Sequence, residues 1–191
     1  MSDAVNSQRL TLDKVLAREE KHEASSYEPS PEVQGPPPAD FQVEDTAGDC
    51  LVKLVKTSGK ETITVEVIAD EALEHEEFEE EGEEEASPSV AFSVLVSKGD
   101  QSLAFTCLGQ GDQPVQIQGV TLERDEEEST GAYAGPIFDE LDPDLQTEFD
   151  NYLQERGIDS ELAQFLAAYC DDKEQREYRG WLGGVRNFLQ A

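Results

Sequence analysis

The sequence predicts an α+β fold, one antiparallel sheet with helices contributed by both chain ends. Three observations predict it. Between residues 41 and 122, short segments alternate apolar and polar side chains with a period of two. Tight glycine-containing turns, such as Lys98-Gly99-Asp100, separate them, so each strand returns beside the last. From residue 142 to residue 189 the apolar spacing becomes that of a helix.

Residues 7–24 form a helix candidate with an incomplete apolar face. Leu10, Val15 and Leu16, with Leu12 near the stripe, oppose a charged face of Arg18, Glu19, Glu20 and Lys21. Residues 25–40 carry Pro29, Pro31, Pro36, Pro37 and Pro38 and read as an extended linker of polyproline character. A proline-recognition ligand is the alternative, though spacers are commoner. Strands are predicted over 41–45 and 50–56, followed by a Thr57-Ser58-Gly59-Lys60 turn. Residues 62–68 alternate cleanly, with Ile63, Val65 and Val67 on one face and Thr62, Thr64 and Glu66 on the other, the pattern of a half-solvated strand.

Residues 70–85 contain eleven acidic residues in sixteen. They have too little apolar area to offset chain entropy and are expected to form a flexible loop. Strands resume over 90–97, with Phe92, Val94 and Val96 on one face, and over 103–107, with Leu103, Phe105 and Cys107. After a Gln110-Gly111-Asp112-Gln113 turn, Val115 and Ile117 share a face, while Val120 and Leu122 fall out of phase. Gly119 sits at the shift and predicts a bulge. A second acidic run, 123–128, is interrupted only by Arg124, and a seventh short strand fits 131–134.

Asp142 is placed as an N-cap, with Pro143 at the first helical position, where its missing N–H costs nothing. Leu145, Phe149, Tyr152 and Leu153 form one apolar face, and Gly157 is placed to end that helix. Asp159 or Ser160 caps the next helix, whose face is Leu162, Phe165, Leu166 and Tyr169. Polar residues 171–177 interrupt the pattern. It resumes with Tyr178, Trp181, Leu182, Val185, Phe188 and Leu189, which fits either a break or one long helix. Gly180, Gly183 and Gly184 require close packing or loose last turns. Tyr178, Trp181, Leu182 and Phe188 are assigned to packing, in the core or between subunits.

A chain of 191 residues suffices for one domain. It divides into a helical region over 1–24, the linker 25–40, a sheet region over 41–135 with acidic loops 70–85 and 123–128, and helices over 136–191. Net charge is −30. Phosphate contacts need lysine and arginine to displace counterions, so direct binding to a nucleic-acid backbone is disfavoured. Basic protein segments and cations are favoured instead. Cys50, Cys107 and Cys170 are odd in number, far apart and without CxxC spacing, and read as free thiols in a reducing compartment. No apolar run approaches the roughly 18 residues of a membrane span, so membrane insertion is not expected. The start is not a secretory signal, and with Asp3 and few basic residues it is a poor transit peptide.

Catalytic chemistry finds no constellation. His22 lies in a charged helix candidate and His75 in the acidic run, and both read as exposed histidines. There is no HExxH, no metal-ligand spacing and no EF-hand pattern. Gly109-Gln110-Gly111 lies between strands and fails the dinucleotide context. Paired-carboxylate catalysis needs a structured cleft, which a flexible run does not supply. No enzyme activity and no cofactor are expected, with weak, non-specific divalent-cation binding at most. Cys170 reads as a small buried hydrophobe.

Several spaced elements carry a family resemblance: Tyr133-x-Gly135-Pro136-x-Phe138, Leu141-Asp142-x-x-Leu145-Gln146, Tyr152-Leu153-x-x-Arg156-Gly157-Ile158, Phe165-Leu166, Lys173-Glu174 and Tyr178-x-x-Trp181-Leu182. As a set they resemble the mitochondrial glycoprotein family, also called the mitochondrial acidic matrix proteins, homologues of the complement-component globular-head receptor. The resemblance covers most of the chain after about residue 40 and is fainter over 41–67. It implies a twisted antiparallel sheet of about seven strands flanked by one N-terminal and two C-terminal helices. It also implies a ring-shaped homotrimer and a place in the mitochondrial matrix, in which case the numbering begins near a mature end, after a removed targeting peptide.

Charge and resemblance together give the expected function. It is a non-enzymatic, multi-ligand scaffold that captures basic ribosomal or RNA-processing proteins and so supports mitochondrial gene expression and oxidative phosphorylation. The expected partner-binding residues are Glu76, Glu77, Glu79, Glu80, Glu81, Glu83, Glu84 and Glu85, with Asp125, Glu126, Glu127 and Glu128. The alternative is an accessory factor in mitochondrial RNA processing or editing that meets RNA indirectly, through basic partners.

Overall fold

The computed structural model describes residues 2–69, 89–124, 133 and 135–191, with side chains described from residue 11 onward. Among the described residues six strands form one antiparallel sheet: β1 (Gln42–Asp45), β2 (Leu51–Ser58), β3 (Glu61–Ile68), β4 (Ser89–Lys98), β5 (Gln101–Gln110) and β6 (Gln116–Arg124). Their spatial order follows the chain, each strand pairing with the next. The seventh predicted strand falls on 131–134, which lies outside the described residues except for Tyr133, and Tyr133 belongs to no strand.

The alternation seen in the sequence sets the buried face. Ile63, Val65 and Val67 of β3 lie beside Phe92, Val94 and Val96 of β4 and Phe105 and Cys107 of β5, all at most 5 % exposed. Each such side chain contributes about 1.5–3 kcal/mol on burial. The β2–β3 and β4–β5 connections shrink to two residues each, with Gly59 and Gly99 taking the left-handed conformation. The predicted turn residues Thr57, Ser58 and Lys98 are therefore strand residues. In β6, Gly119 faces Thr106 and Ile117 faces Cys107, so Gln118 is the extra residue of a bulge, one position from that predicted. The shift brings Val120 and Leu122 onto the face of Phe105 and Leu103, their partners on β5, and Leu122, near the end of β6, stays 51 % exposed.

Among the described residues three α-helices accompany the sheet: α1 (Ser2–Ser26), α2 (Pro143–Gln154) and α3 (Ser160–Gln190). The Asp142 carboxylate accepts a bond from the Asp144 N–H, and that of Asp159 from the Leu162 N–H, so both predicted caps form. The two readings of the C-terminal pattern resolve to one continuous helix of 31 residues. Its first half places Leu162, Phe165, Leu166 and Cys170 on the sheet. Gly109 of β5 makes this approach close, since a side chain there would overlap the Cβ of Ala163.

The second half of α3 packs against α1, which runs antiparallel to it. Arg186 pairs with Asp13 and Glu20, Gln190 bonds Asp13, and Gln175 bonds Glu23. One narrow helix covers only a stripe. Leu182 is 1 % exposed and Leu16 of α1 is buried, but Trp181 and Phe188 stand 58 % and 79 % exposed. Gly183 faces Glu20, whereas Gly180 and Gly184 face open space. In α2, Leu153 is buried and Phe149 and Tyr152 pack on the core. Leu145, predicted on that face, is 44 % exposed and corrects the reading; it lies in the first turn, where the chain is still arriving from Asp142.

Candidate functional site

The twelve acidic residues predicted to bind partners, Glu76 to Glu85 and Asp125 to Glu128, lie outside the described residues. Their attachment points are described. Ala69 precedes the first run, is 3 % exposed, and donates its N–H to the Cys50 carbonyl at 2.9 Å. Ser89, after that run, pairs with Gln110. The first run is therefore rooted at the sheet end that carries the β1–β2 and β5–β6 connections. Glu123 and Arg124, which open the second run, pair with Ser102 and Gln101 at the opposite end. The topology thus starts the two runs from opposite ends of the sheet. Residues 70–88 and 125–134 hold 15 of the 44 acidic residues and no lysine or arginine, which is half of the net charge of −30.

In the folded body, key carboxylates are partnered. Asp45, at the end of β1, pairs with Lys173 at 2.6 Å and Arg176 at 2.9 Å and accepts a bond from the Tyr169 hydroxyl at 2.9 Å. Burial alone would raise its carboxyl, but these donors outweigh it and hold it below the usual range. Lys173 is fully buried, and its ammonium also reaches Glu177 at 2.6 Å and the Thr46 carbonyl at 2.7 Å. Burial opposes its charge, and the two carboxylates more than compensate, keeping it protonated. Arg176 also holds Asp172, which accepts from the Tyr27 hydroxyl at 3.1 Å. Burial, then Asp172, pushes the Tyr27 phenol up to about 12. This network ties linker, sheet edge and α3 together.

A second cluster lies where α2 ends. Arg156 makes two bonds to Glu61, at 2.9 and 3.0 Å, and its guanidinium sits 3.4 Å from the centre of the Tyr152 ring. Lys98 joins Glu61 at 2.6 Å, and Arg156 and Lys98 together hold that carboxyl low. Lys56 donates to the Arg156 carbonyl at 2.6 Å, closing the helix end. Gly157 takes φ 79° there, and a side chain on it would overlap Ala39.

Much of the spaced pattern read from the sequence thus has structural work to do. Asp142, Arg156, Gly157 and Lys173 build caps and ion pairs. Gly135, at φ 90°, leaves room for the Val120 carbonyl, and Phe138 packs on Phe149. Sequence reasoning missed Asp45, Glu61 and Tyr27, because their partners lie on other elements, 37 (Glu61 to Lys98) to 145 (Tyr27 to Asp172) residues away, and no local pattern links them.

Of the remaining candidates, the His22 side chain is 68 % exposed and touches only Glu23 among the contacts described, and His75 lies outside the described residues. Cys107 and Cys170 are buried, and burial pushes both thiols up to about 12. Cys50 is half-buried, and no disulfide forms. Among the described residues no three His, Cys, Asp or Glu side chains converge as metal ligands, and no helix is long and apolar enough to cross a membrane. Two of the surface clefts are lined by described residues. One, of about 240 Å³, lies between the β5–β6 connection and the α2–α3 corner, with Asp112, Asp150 and Asp159 on its walls. The other, of about 230 Å³, lies at the root of the first acidic run, between Cys50, Ala69 and the Lys173–Trp181 stretch of α3.

Comparison with known proteins fits this geometry. The chain is 31 % identical over 188 residues to the mitochondrial acidic protein mam33 of Schizosaccharomyces pombe, covering 81 % of this chain and 70 % of that one. It is 31 % identical to the conserved regulator of innate immunity protein 3 of Caenorhabditis elegans, covering 93 % and 82 %. An uncharacterised mitochondrial protein of Arabidopsis thaliana is 29 % identical, over 78 % of this chain and 62 % of its own length. Two solved structures share the fold. A Leishmania major protein of unknown function, described as a homologue of human p32, aligns with TM-score 0.74 and 24 % identity, over 95 % of this chain and 99 % of that one. The Trypanosoma brucei p22 protein aligns with TM-score 0.75 and 22 % identity, over 96 % and 99 %. Residues 12–189 match the mitochondrial glycoprotein family, to which this chain belongs.

Proposed function

We propose that this protein is a non-enzymatic acidic scaffold of the mitochondrial matrix that captures basic proteins and so supports mitochondrial gene expression and oxidative phosphorylation. The observation that carries the proposal is the division of charge. Half of the net −30 sits in residues 70–88 and 125–134, which hold no lysine or arginine and are attached at opposite ends of the sheet. Many carboxylates of the body instead have cations beside them, as at Asp45 and Glu61. Carboxylates without nearby cations attract lysine- and arginine-rich segments over roughly a Debye length, about 8–10 Å at physiological salt. The names of the yeast and plant relatives support the organelle.

The working form in this proposal is a ring-shaped homotrimer. Exposed apolar side chains support it: Phe188 on α3, Leu122 on β6 and Ile137 before α2. Apolar subunit contacts must offset the repulsion of three chains that each carry −30. Light scattering should return three times the 21.1 kDa chain mass; a monomer removes the ring from the proposal.

A tagged pull-down from organelle extract, run across a salt series with and without RNase, tests the function. Basic ribosomal or RNA-processing proteins should elute between about 0.1 and 0.5 M salt, where screening becomes strong. Their loss on RNase treatment would instead favour an RNA-linked accessory role. Salt-resistant capture of one neutral partner would overturn the electrostatic mechanism.

A further inference from the structure

The outward side of α1 is unlike the rest of this acidic chain. Among the described residues of the helix, Asp13, Glu19, Glu20 and Glu23 are all half-buried, on the side that faces α3. Asp13 and Glu20 pair with Arg186, Glu23 bonds Gln175, and Glu19 and Glu23 lie close to the Tyr178 ring. The exposed positions from residue 11 to residue 26 hold no carboxylate. They hold Lys14, Arg18 and Lys21, which fall within roughly 60° of one another around the helix axis at about 100° per residue. The ion pairs described for the helix run from its carboxylates to Arg186 or join His22 to Glu23, and the three cations enter none among the described residues. Leu12 and Val15 stand beside them, 46 % and 44 % exposed.

We propose that this face of α1 rests on an anionic phospholipid surface, with Lys14, Arg18 and Lys21 on the headgroup phosphates and Leu12 and Val15 at the boundary of the acyl chains. The helix lies on the bilayer and does not cross it, since it is not apolar enough to span. Its charge selects an anionic partner, and the two aliphatic side chains select among anionic partners. A nucleic-acid backbone or an acidic peptide would engage the cations and leave Leu12 and Val15 in water. A lipid surface takes both, and its flatness suits a row of side chains on one side of a helix. The charge elsewhere in the chain limits the contact. Screening confines attraction and repulsion to about 8–10 Å at physiological salt, so the stripe acts locally, and the net −30 keeps the rest of the molecule off the membrane. The inference is independent of the capture of basic proteins, which uses the opposite charge.

The test is co-sedimentation of the full-length chain with extruded vesicles, made either of phosphatidylcholine alone or of phosphatidylcholine with about one third phosphatidylglycerol. At about 0.1 M salt the chain should sediment with the anionic vesicles and not with the neutral ones, and about 0.5 M salt should release it. Each basic residue near an anionic surface strengthens binding about fivefold, so Lys14→Gln with Arg18→Gln should weaken it roughly 25-fold. Lys60→Gln with Arg124→Gln removes the same charge from exposed positions of the sheet region and should leave binding unchanged. Leu12→Ser with Val15→Ser should weaken binding about threefold to tenfold. Circular dichroism checks that each variant stays folded.

Losses confined to the α1 variants, on anionic vesicles alone, are the result that supports the membrane face. Sedimentation with neither kind of vesicle overturns the proposal and leaves the scaffold reading intact. Equal losses in the two charge-removing variants also overturn it, since net charge and not the α1 face would then decide. So does a polyglutamate peptide or an RNA oligonucleotide that binds through Lys14 and Arg18 while the anionic vesicles stay unbound, because the stripe would then serve a different polyanion.

Discussion

Lys173 shows at the residue scale how this acidic chain stays folded. Its ammonium is fully buried between Asp45 and Glu177, and it also holds the Thr46 carbonyl. Lys173→Met removes the cation but keeps the volume, leaving Asp45 with fewer donors. It should cost about 3 kcal/mol, read by urea denaturation. Gly109→Ala should cost about 1–3 kcal/mol in the same assay, because the new methyl meets Ala163 on α3. The partnered carboxylates also set an acid limit. Glu61 and Glu177 are held low, chiefly by Arg156 and by Lys173 respectively. A depressed folded-state pKa adds stability that is complete above the ordinary glutamate value and is lost as pH falls through the depressed value. The melting temperature should therefore fall once pH drops below about 4. A melting temperature that holds steady through that range would show that these pairs contribute nothing.

At the scale of elements, α3 carries two tasks, and Gly180, Gly183 and Gly184 all lie in the half that serves the second. Its first half is a sheet-packing helix, and its second half extends past the sheet edge with α1 as its cover. Gly180 and Gly184 face open space within one chain. If nothing else covers them, alanine at either position should stabilise the helix by about 1 kcal/mol in thermal denaturation. A loss of trimer mass in the Gly184→Ala variant would instead place a second subunit there. The helices and most strands were legible in the sequence because their signals are local. Examples are the Asp142 and Asp159 caps, the alternation of Ile63, Val65 and Val67, and the phase shift at Gly119. The continuity of α3 through its polar waist was not legible, since it depends on what packs alongside. Leu145 was misplaced because periodicity names a face without saying how far the sheet reaches beneath it. The Asp45 and Glu61 clusters were invisible because ion pairs across the fold leave no spacing in the chain. The acidic runs were legible from composition, and their attachment at opposite sheet ends came only from the strand pairing.

At the scale of the whole molecule, charge placement is the basis of the proposed function. A body with partnered carboxylates carries runs dominated by acidic residues, and in the proposed function their surplus charge recruits basic partners. The most direct test compares the native chain with a variant in which Glu76, Glu77, Glu79, Glu80, Glu81, Glu83, Glu84 and Glu85 are all changed to Gln. The measurement is retention of a histone, as a model basic protein, on each immobilised chain across a salt gradient. The native chain should hold it at about 0.1 M salt and release it by about 0.5 M, and the variant should release it near the lower limit while keeping its mass by light scattering. Equal retention by the two chains at every salt concentration would contradict the account.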